Sequence, residues 1–332
     1  MTTLTQTDDN IVPKIEAAAE RVQKAHRAAG SVIYGQDEVI QRALITILAG
    51  GHALLIGVPG LAKTLLVETL GTVLGLDAKR IQFTPDLMPS DIIGAEVLED
   101  APGQRRSFRF IKGPIFTQLL MADEINRASP KTQSALLQAM QEHHVTVAGQ
   151  RHDVPHPFHV LATQNPLEQE GTYPLPEAQL DRFLLQIDVT YPDVVAERRM
   201  LYATTGSEQT RVEHVLTASE LQQIQRLVRQ LPVPDKVVEA ILALVRSARP
   251  DTGANADADR YIAWGPGPRA SQALMLCCRA RALADGRLAP SVDDVIALAE
   301  PVLKHRMALS FAARAEGQEL SAIIARLTQQ LE

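Results

Sequence analysis

His52-Ala-Leu-Leu-Ile56, then Gly57-Val-Pro-Gly-Leu-Ala-Lys63-Thr64, then an amphipathic stretch from Leu65 decide how this 332-residue chain reads. A short apolar strand, a glycine-bearing turn ending in Lys-Thr and a following helix form an architecture that cradles phosphate. Backbone N–H groups of such a turn point inward, and the helix adds the positive end of its dipole. On that reading Gly57, Val58, Pro59, Gly60, Leu61, Ala62, Lys63, Thr64 and Leu65 surround the anion. Lys63 reaches the β- and γ-phosphates, and the Thr64 hydroxyl faces Mg²⁺. The motif places glycine immediately before the lysine, where this chain has Ala62. Alanine is acceptable there with helical angles but not where φ must be positive.

Two further apolar runs end in polar residues. Leu119-Leu-Met-Ala122 stops at Asp123-Glu124, and Val160-Leu-Ala-Thr-Gln stops at Asn165. In a parallel sheet such ends gather at the carboxyl edge, where ligands bind. Asp123 there holds Mg²⁺, Glu124 polarises water as general base, and the Asn165 amide orients that water. Taken singly, an acidic loop or a turn-forming asparagine before Pro166 explains each equally well. Arg182 precedes the apolar run 184–189, and a guanidinium can neutralise charge on a transferring phosphoryl group. Arg269, in Trp264-Gly-Pro-Gly-Pro-Arg269, falls in the first turn of a helix, where the dipole disfavours a cation unless an anion is near.

Short strands alternate with helical patterns from residue 52 to residue 188, predicting an α/β domain with a mostly parallel sheet. Helices are expected at 14–29 and 37–48, from Leu65 to Leu74, and from Pro130, capped by Ser129, to Met140. Two segments interrupt the rhythm: 84–114, rich in proline and glycine and including Pro102 and Gly103, and 143–158, read as a hairpin. Past Tyr191-Pro192-Asp193 helical patterns dominate, at 194–205, 217–230, 235–248, 268–284, 291–305 and 318–331, with polar 251–260 read as a loop. The organisation is therefore a helical segment over 1–30, an α/β domain over 31–190 with inserts at 84–114 and 143–158, and an all-α domain over 193–332.

The formal charge of −6 argues against a generally basic nucleic-acid surface. Apolar residues make up 45%, enough for a substantial core. No charged-then-apolar leader opens the chain, and the longest apolar runs fall short of a membrane span, so a cytoplasmic protein is expected. The adjacent Cys277 and Cys278 suit neither a disulfide framework nor a zinc knuckle. His143, His144, His152, His156 and His159 lack a paired helical register, so the segment reads as a polar hairpin rather than a metal site.

Taken in order, these pieces resemble the AAA+ ATPases, and more closely the MoxR family. The likeness rests on Tyr34-Gly-Gln36, Gly57–Thr64, Phe83-Thr-Pro-Asp-Leu-Met-Pro-Ser-Asp91 and Ala122-Asp-Glu-Ile-Asn-Arg127. It continues through Leu161-Ala-Thr-Gln-Asn-Pro166, Glu170-Gly-Thr-Tyr-Pro174, Pro176-Glu-Ala-Gln-Leu-Asp-Arg-Phe183 and Trp264–Ala270. It implies an AAA+ P-loop NTPase core followed by an all-α lid, with ATP and Mg²⁺ bound. Lys63 and Thr64 become Walker A, Asp123 and Glu124 Walker B, Asn165 sensor 1, Arg182 the arginine finger and Arg269 sensor 2. Tyr34 packs near adenine, and Arg127 is a second candidate for a contact between subunits. The resemblance further implies a homo-hexameric ring and chaperone-like remodelling of client protein complexes, von Willebrand factor A domain proteins among them. A magnesium-chelatase-like motor subunit and a nucleic-acid-dependent motor are the rival readings.

Overall fold

The computed structural model describes residues 11–99, 107–168, 170–206 and 212–331. Met1–Asn10 and the Pro102-Gly103 pair lie outside the described residues. The chain divides into two compact units, one of residues 29–218 and one joining 1–28 to 219–332. This division differs from the sequence expectation at both ends. The opening helix groups with the C-terminal helices, and residues 191–218 group with the α/β unit.

Helix α1 (Ile11–Gly30) buries Ile15, Ala18, Ala19, Val22 and Ala25, the stripe expected of an amphipathic helix. The α/β unit then runs α2 (Asp37–Leu48), β1 (Ala53–Ile56), α3 (Lys63–Val73), β2 (Ala78–Gln82), α4 (Pro89–Ile93), β3 (Gly94–Glu99) and β4 (Ser107–Lys112). It continues with β5 (Leu119–Asp123), α5 (Pro130–Glu142), β6 (His144–Val147), β7 (Gln150–Asp153), β8 (His159–Gln164), α6 (Glu177–Leu180), β9 (Leu185–Asp188) and α7 (Val194–Thr205). The remaining elements are α8 (Ala218–Gln230), α9 (Asp235–Ser247), α10 (Ala256–Tyr261), β10 (Ile262–Trp264), α11 (Pro268–Ala284), α12 (Val292–Leu303), β11 (Ala308–Leu309), α13 (Phe311–Ala315) and α14 (Leu320–Thr328). No helix among the described residues is long and apolar enough to cross a membrane.

The main sheet has five strands in the order β2-β5-β8-β1-β9, every pairing parallel. Its inner strands are continuous apolar runs because helices cover both faces. Leu54, Leu120, Ala122, Val160 and Ala162 share one core with Leu136, Leu137 and Met140 of α5. Ser129 caps α5 by accepting the Thr132 N–H at 3.4 Å, with Pro130 in the first turn, as the sequence predicts. The capping box of α12, Ser291 with Asp294, is also present.

Both inserts are hairpins. The 143–158 segment pairs β6 with β7 and turns through Ala148-Gly149, both at positive φ, the geometry that matches strand twist in a two-residue turn. Within 84–114, β3 pairs with β4, a hairpin the Pro/Gly content concealed. Gly94 closes it at φ +96, and a Cβ there would meet the Ile111 carbonyl oxygen at 2.1 Å. Val97, Leu98, Phe108 and Ile111 stand exposed on this hairpin. The 251–260 stretch, expected as loop, contains α10, because the Asn255 side chain caps it by accepting the Asp257 and Ala258 N–H groups.

At the amino edge of the sheet, His52 and His159 are buried. Nδ1 of His52 accepts the Val160 N–H at 2.9 Å, which leaves its Nε2–H to donate to the Met140 carbonyl at 3.2 Å. His159 donates from Nδ1 to the Gly51 carbonyl at 2.8 Å. Burial, reinforced by its neighbour His159, pushes the His52 pKa down to about 3, and burial pushes His159 to about 4. The unfolded chain protonates both near 6.5. Between these values the unfolded state binds more protons, so the stabilisation is complete above about 6.5 and is lost as pH falls through 5 towards the folded values. Unfolding stability is expected to drop by roughly 4 kcal/mol between pH 7 and pH 5 from this pair. Urea midpoints at the two pH values check it. His159→Asn should flatten the dependence by about half, and identical wild-type midpoints contradict it.

Candidate active site

Parallel pairing puts the carboxyl ends of β1, β5 and β8 at one sheet edge, so Gly57, Asp123 and Asn165 arrive together. Gly57 packs so close to β9 that a Cβ would lie 2.6 Å from the Val189 carbonyl oxygen. Gly60 turns the loop at φ +85. Ala62 then adopts φ +55, ψ +21, a left-handed conformation at the N-cap of α3. Here the structure decides against helical angles: alanine occupies a position whose geometry favours glycine.

A left-handed alanine costs about 1–2 kcal/mol, offset in part because glycine loses about 0.4–1 kcal/mol more on ordering. Ala62→Gly is therefore expected to raise unfolding stability by about 0.5–1 kcal/mol. Thermal or urea unfolding measures this, and a destabilised variant contradicts the strain.

Lys63 folds back over the loop, donating from Nζ to the Gly57 and Val58 carbonyls at 2.5 and 3.0 Å. Partial burial lowers its pKa, while Asp123 and Glu124 oppose that shift. A cleft of about 490 Å³ is lined by Pro59, Gly60, Leu61, Ala62, Lys63, Thr64 and Leu65 together with Arg80, Gln82, Asp123, Glu124 and Asn165. Gly57 and Val58 support this loop through the carbonyls that Lys63 engages.

Asp123 accepts the Thr163 hydroxyl on Oδ1 at 2.6 Å and Arg80 on Oδ2, from Nη2 at 2.6 Å and Nε at 3.1 Å. Glu124 leaves the strand at φ +55, and its N–H donates to Thr163 Oγ1 at 2.8 Å. Its Oε2 accepts Gln82 Nε2 at 2.7 Å and Arg127 Nη1 at 2.9 Å. That pairing raises the Arg127 pKa further. Asn165 serves its own turn, accepting the Leu167 N–H on Oδ1 at 3.1 Å, and also lines the cleft. Thr64 and Asp123 bring a hydroxyl and a carboxylate to this cleft, the oxygen types that Mg²⁺ takes alongside phosphate oxygens and water.

Tyr34 is not among the residues lining the cleft, but its turn is tied to the residues just past β9. Gln36 Nε2 donates to the Thr190 carbonyl at 2.7 Å, and Gly35 at φ +68 leaves no room for a Cβ against Ala196. The Arg199 guanidinium sits 5.6 Å from the Tyr34 ring centroid. Arg182 is elsewhere. Leu185 pairs with Ala53 and Asp188 with Ile56, so Arg182 precedes the amino end of β9. At about 3.3 Å per residue it lies more than about 10 Å from its own phosphate loop. Arg269 opens α11 in the helical unit, exposed at the helix start.

Sequence reading missed Arg80, Gln82 and Thr163. Arg80 and Gln82 belong to β2, whose Ala-Lys-Arg-Ile-Gln is too polar to read as a strand. Their i, i+2 spacing puts both on one face, and Gln82 pairs in register with Asp123. That parity is the only signal the sequence held.

The chain matches the family described as ATPase family associated with various cellular activities (AAA) over residues 52–185, and an AAA lid domain over 254–327. It is 40% identical to Chaperone MoxR1 of Mycobacterium tuberculosis, covering 95% of this chain and 83% of that protein. The chain belongs to the MoxR family of AAA+ ATPases. Protein MoxR of Paracoccus denitrificans is 31% identical over 87% of this chain and 89% of its own. A crystal structure of a candidate ATPase from Cytophaga hutchinsonii superposes with a TM-score of 0.88 at 38% identity, covering 96% of each chain. The MoxR fold, an α/β AAA+ core with a helical lid, thus accounts for both units. ATP hydrolysis is a property of the family.

Proposed function

We propose that this chain hydrolyses ATP and couples turnover to chaperone-like remodelling, maturation or activation of partner proteins. The observation that carries the reading is the single cleft lined by Lys63, Thr64, Asp123, Glu124 and Asn165. Lys63 and the loop N–H groups hold the triphosphate, and Thr64 with Asp123 holds Mg²⁺, which supplies charge neutralisation when bound. Glu124 takes the proton from the attacking water, with Asn165 orienting it. Tyr34, whose turn is tied to the residues just past β9, is the adenine neighbour in this reading. Arg269 keeps its reading as the lid arginine from its sequence motif.

The remote position of Arg182 supports a finger supplied by a neighbouring subunit, and hence a homo-hexameric ring. Exposed Val194, Val195, Leu201 and Tyr202 on α7, with Tyr191 just before it, support assembly as well, since exposed apolar surface of that kind marks an interaction face. Client complexes, including von Willebrand factor A domain proteins, and a cytoplasmic location complete the proposal. The test is an ATP-trapped pull-down with Glu124→Gln, beside ATPase assays with and without DNA or RNA. ATP-dependent capture of a protein supports it; strong stimulation of turnover by nucleic acid overturns it.

A further inference from the structure

Arg80 stands on β2 with about half its side chain exposed (49%), yet its guanidinium holds Oδ2 of the nearly buried Asp123 side chain through two contacts, at 2.6 and 3.1 Å. The other carboxylate oxygen carries the Thr163 hydroxyl at 2.6 Å. Arg80 Nη2 also donates to Gln82 Oε1 at 2.7 Å, and Gln82 donates onward to Glu124. One run of bonds therefore joins Asp123, Arg80, Gln82 and Glu124, all four lining the same cleft.

We infer that Arg80 is a positioning residue that makes divalent-metal capture at Asp123 depend on the triphosphate. The inference deepens the proposed ATPase site and rests on it. A guanidinium on Oδ2 orients the carboxylate and cancels its charge, so a divalent cation arriving alone meets a neutralised, partly occupied ligand. A triphosphate changes that balance, because its oxygens offer the cation further ligands and offer Arg80 a second anion in the same cleft. A half-exposed arginine can turn between the two; a fully buried one cannot. Metal and triphosphate then enter together, and the Gln82 link carries the rearrangement to Glu124.

Mn²⁺ binding, followed by electron paramagnetic resonance without nucleotide, tests this. Arg80→Gln keeps a donor for Asp123 but removes the charge, and is expected to bind Mn²⁺ on the order of 10-fold more tightly than wild type. Arg80→Lys keeps the charge and should stay close to wild type. Adding Asp123→Asn to Arg80→Gln should erase the gain. Unchanged or weaker Mn²⁺ binding by a folded Arg80→Gln protein, the result of a merely structural arginine, overturns the inference. If that protein does not fold, Arg80→Lys decides: Mn²⁺ binding as much as 10-fold tighter than wild type would overturn the charge argument. A parallel titration with Mn·ATP separates the two levels. Wild type that fails to bind it, or binds it regardless of Lys63→Ala, removes the ATPase reading itself.

Discussion

Arg182→Ala is expected to leave nucleotide affinity unchanged while lowering ATP turnover by about 10³- to 10⁵-fold, the range attributed to a phosphoryl-stabilising arginine. The backbone beside it is firmly held. Phe183 beside it is fully buried, and the Leu184 N–H donates to the His52 carbonyl at 2.7 Å, locking the residues that lead into β9. Because this is the amino end of β9 and the phosphate loop follows the carboxyl end of β1, the proposed role of the arginine is on another subunit's nucleotide. Mixing Arg182→Ala with Glu124→Gln subunits is therefore expected to restore activity. In a randomly mixed ring about a quarter of the interfaces carry both the intact base and the intact finger. Steady-state turnover across mixing ratios measures this. Absence of rescue at every ratio removes the trans assignment, and weakened nucleotide binding by Arg182→Ala alone would make it a binding residue instead.

Glu124→Gln should bind Mg·ATP as wild type does and hydrolyse it about 10²- to 10⁴-fold more slowly, the usual contribution of a general base. The substitution is close to isosteric. Its oxygen can still accept from Gln82 and Arg127, so the φ +55 corner and the Thr163 bond to the backbone are expected to persist. What disappears is the proton acceptor. Single-turnover hydrolysis with calorimetric binding separates the two effects, and undiminished turnover would remove Glu124 from the base role. Lys63→Ala, by contrast, should lose binding first, since its ammonium is the cation of the phosphate loop.

Residues at strand ends were the most legible part of the sequence. An apolar run that stops at a charged or amide residue announces both the strand and the sheet edge it reaches, and β5 and β8 follow that rule, while β1 was marked by the glycine turn after it. Caps written by Ser129-Pro130 and Ser291-Asp294 were equally plain. Strand β2 was not, because an edge strand alternating Lys79, Ile81 and polar neighbours shows little apolar run, and with it went Arg80 and Gln82. The β3–β4 hairpin hid behind glycines that serve its closure. The left-handed angle of Ala62 has no marker in the residue itself: only the departure from glycine hinted at it. Helix α10 escaped because its cap, Asn255, sits in a stretch too polar to show a buried face.

The discontinuous helical unit has a consequence for synthesis. Helix α1 leaves the ribosome ahead of the 29–218 unit, but the partners grouped with it begin only at Ser219, after the whole of that unit. At ordinary elongation rates that interval lasts on the order of 10–40 s. Throughout it, the face formed by Ile15, Ala18, Val22 and Ala25 has no native surface to rest on. A nascent MoxR-family chain of this type is thus committed to guarding a sticky leading helix until its final third has been translated. Trimming the first thirty residues would open the helical unit rather than remove a tail.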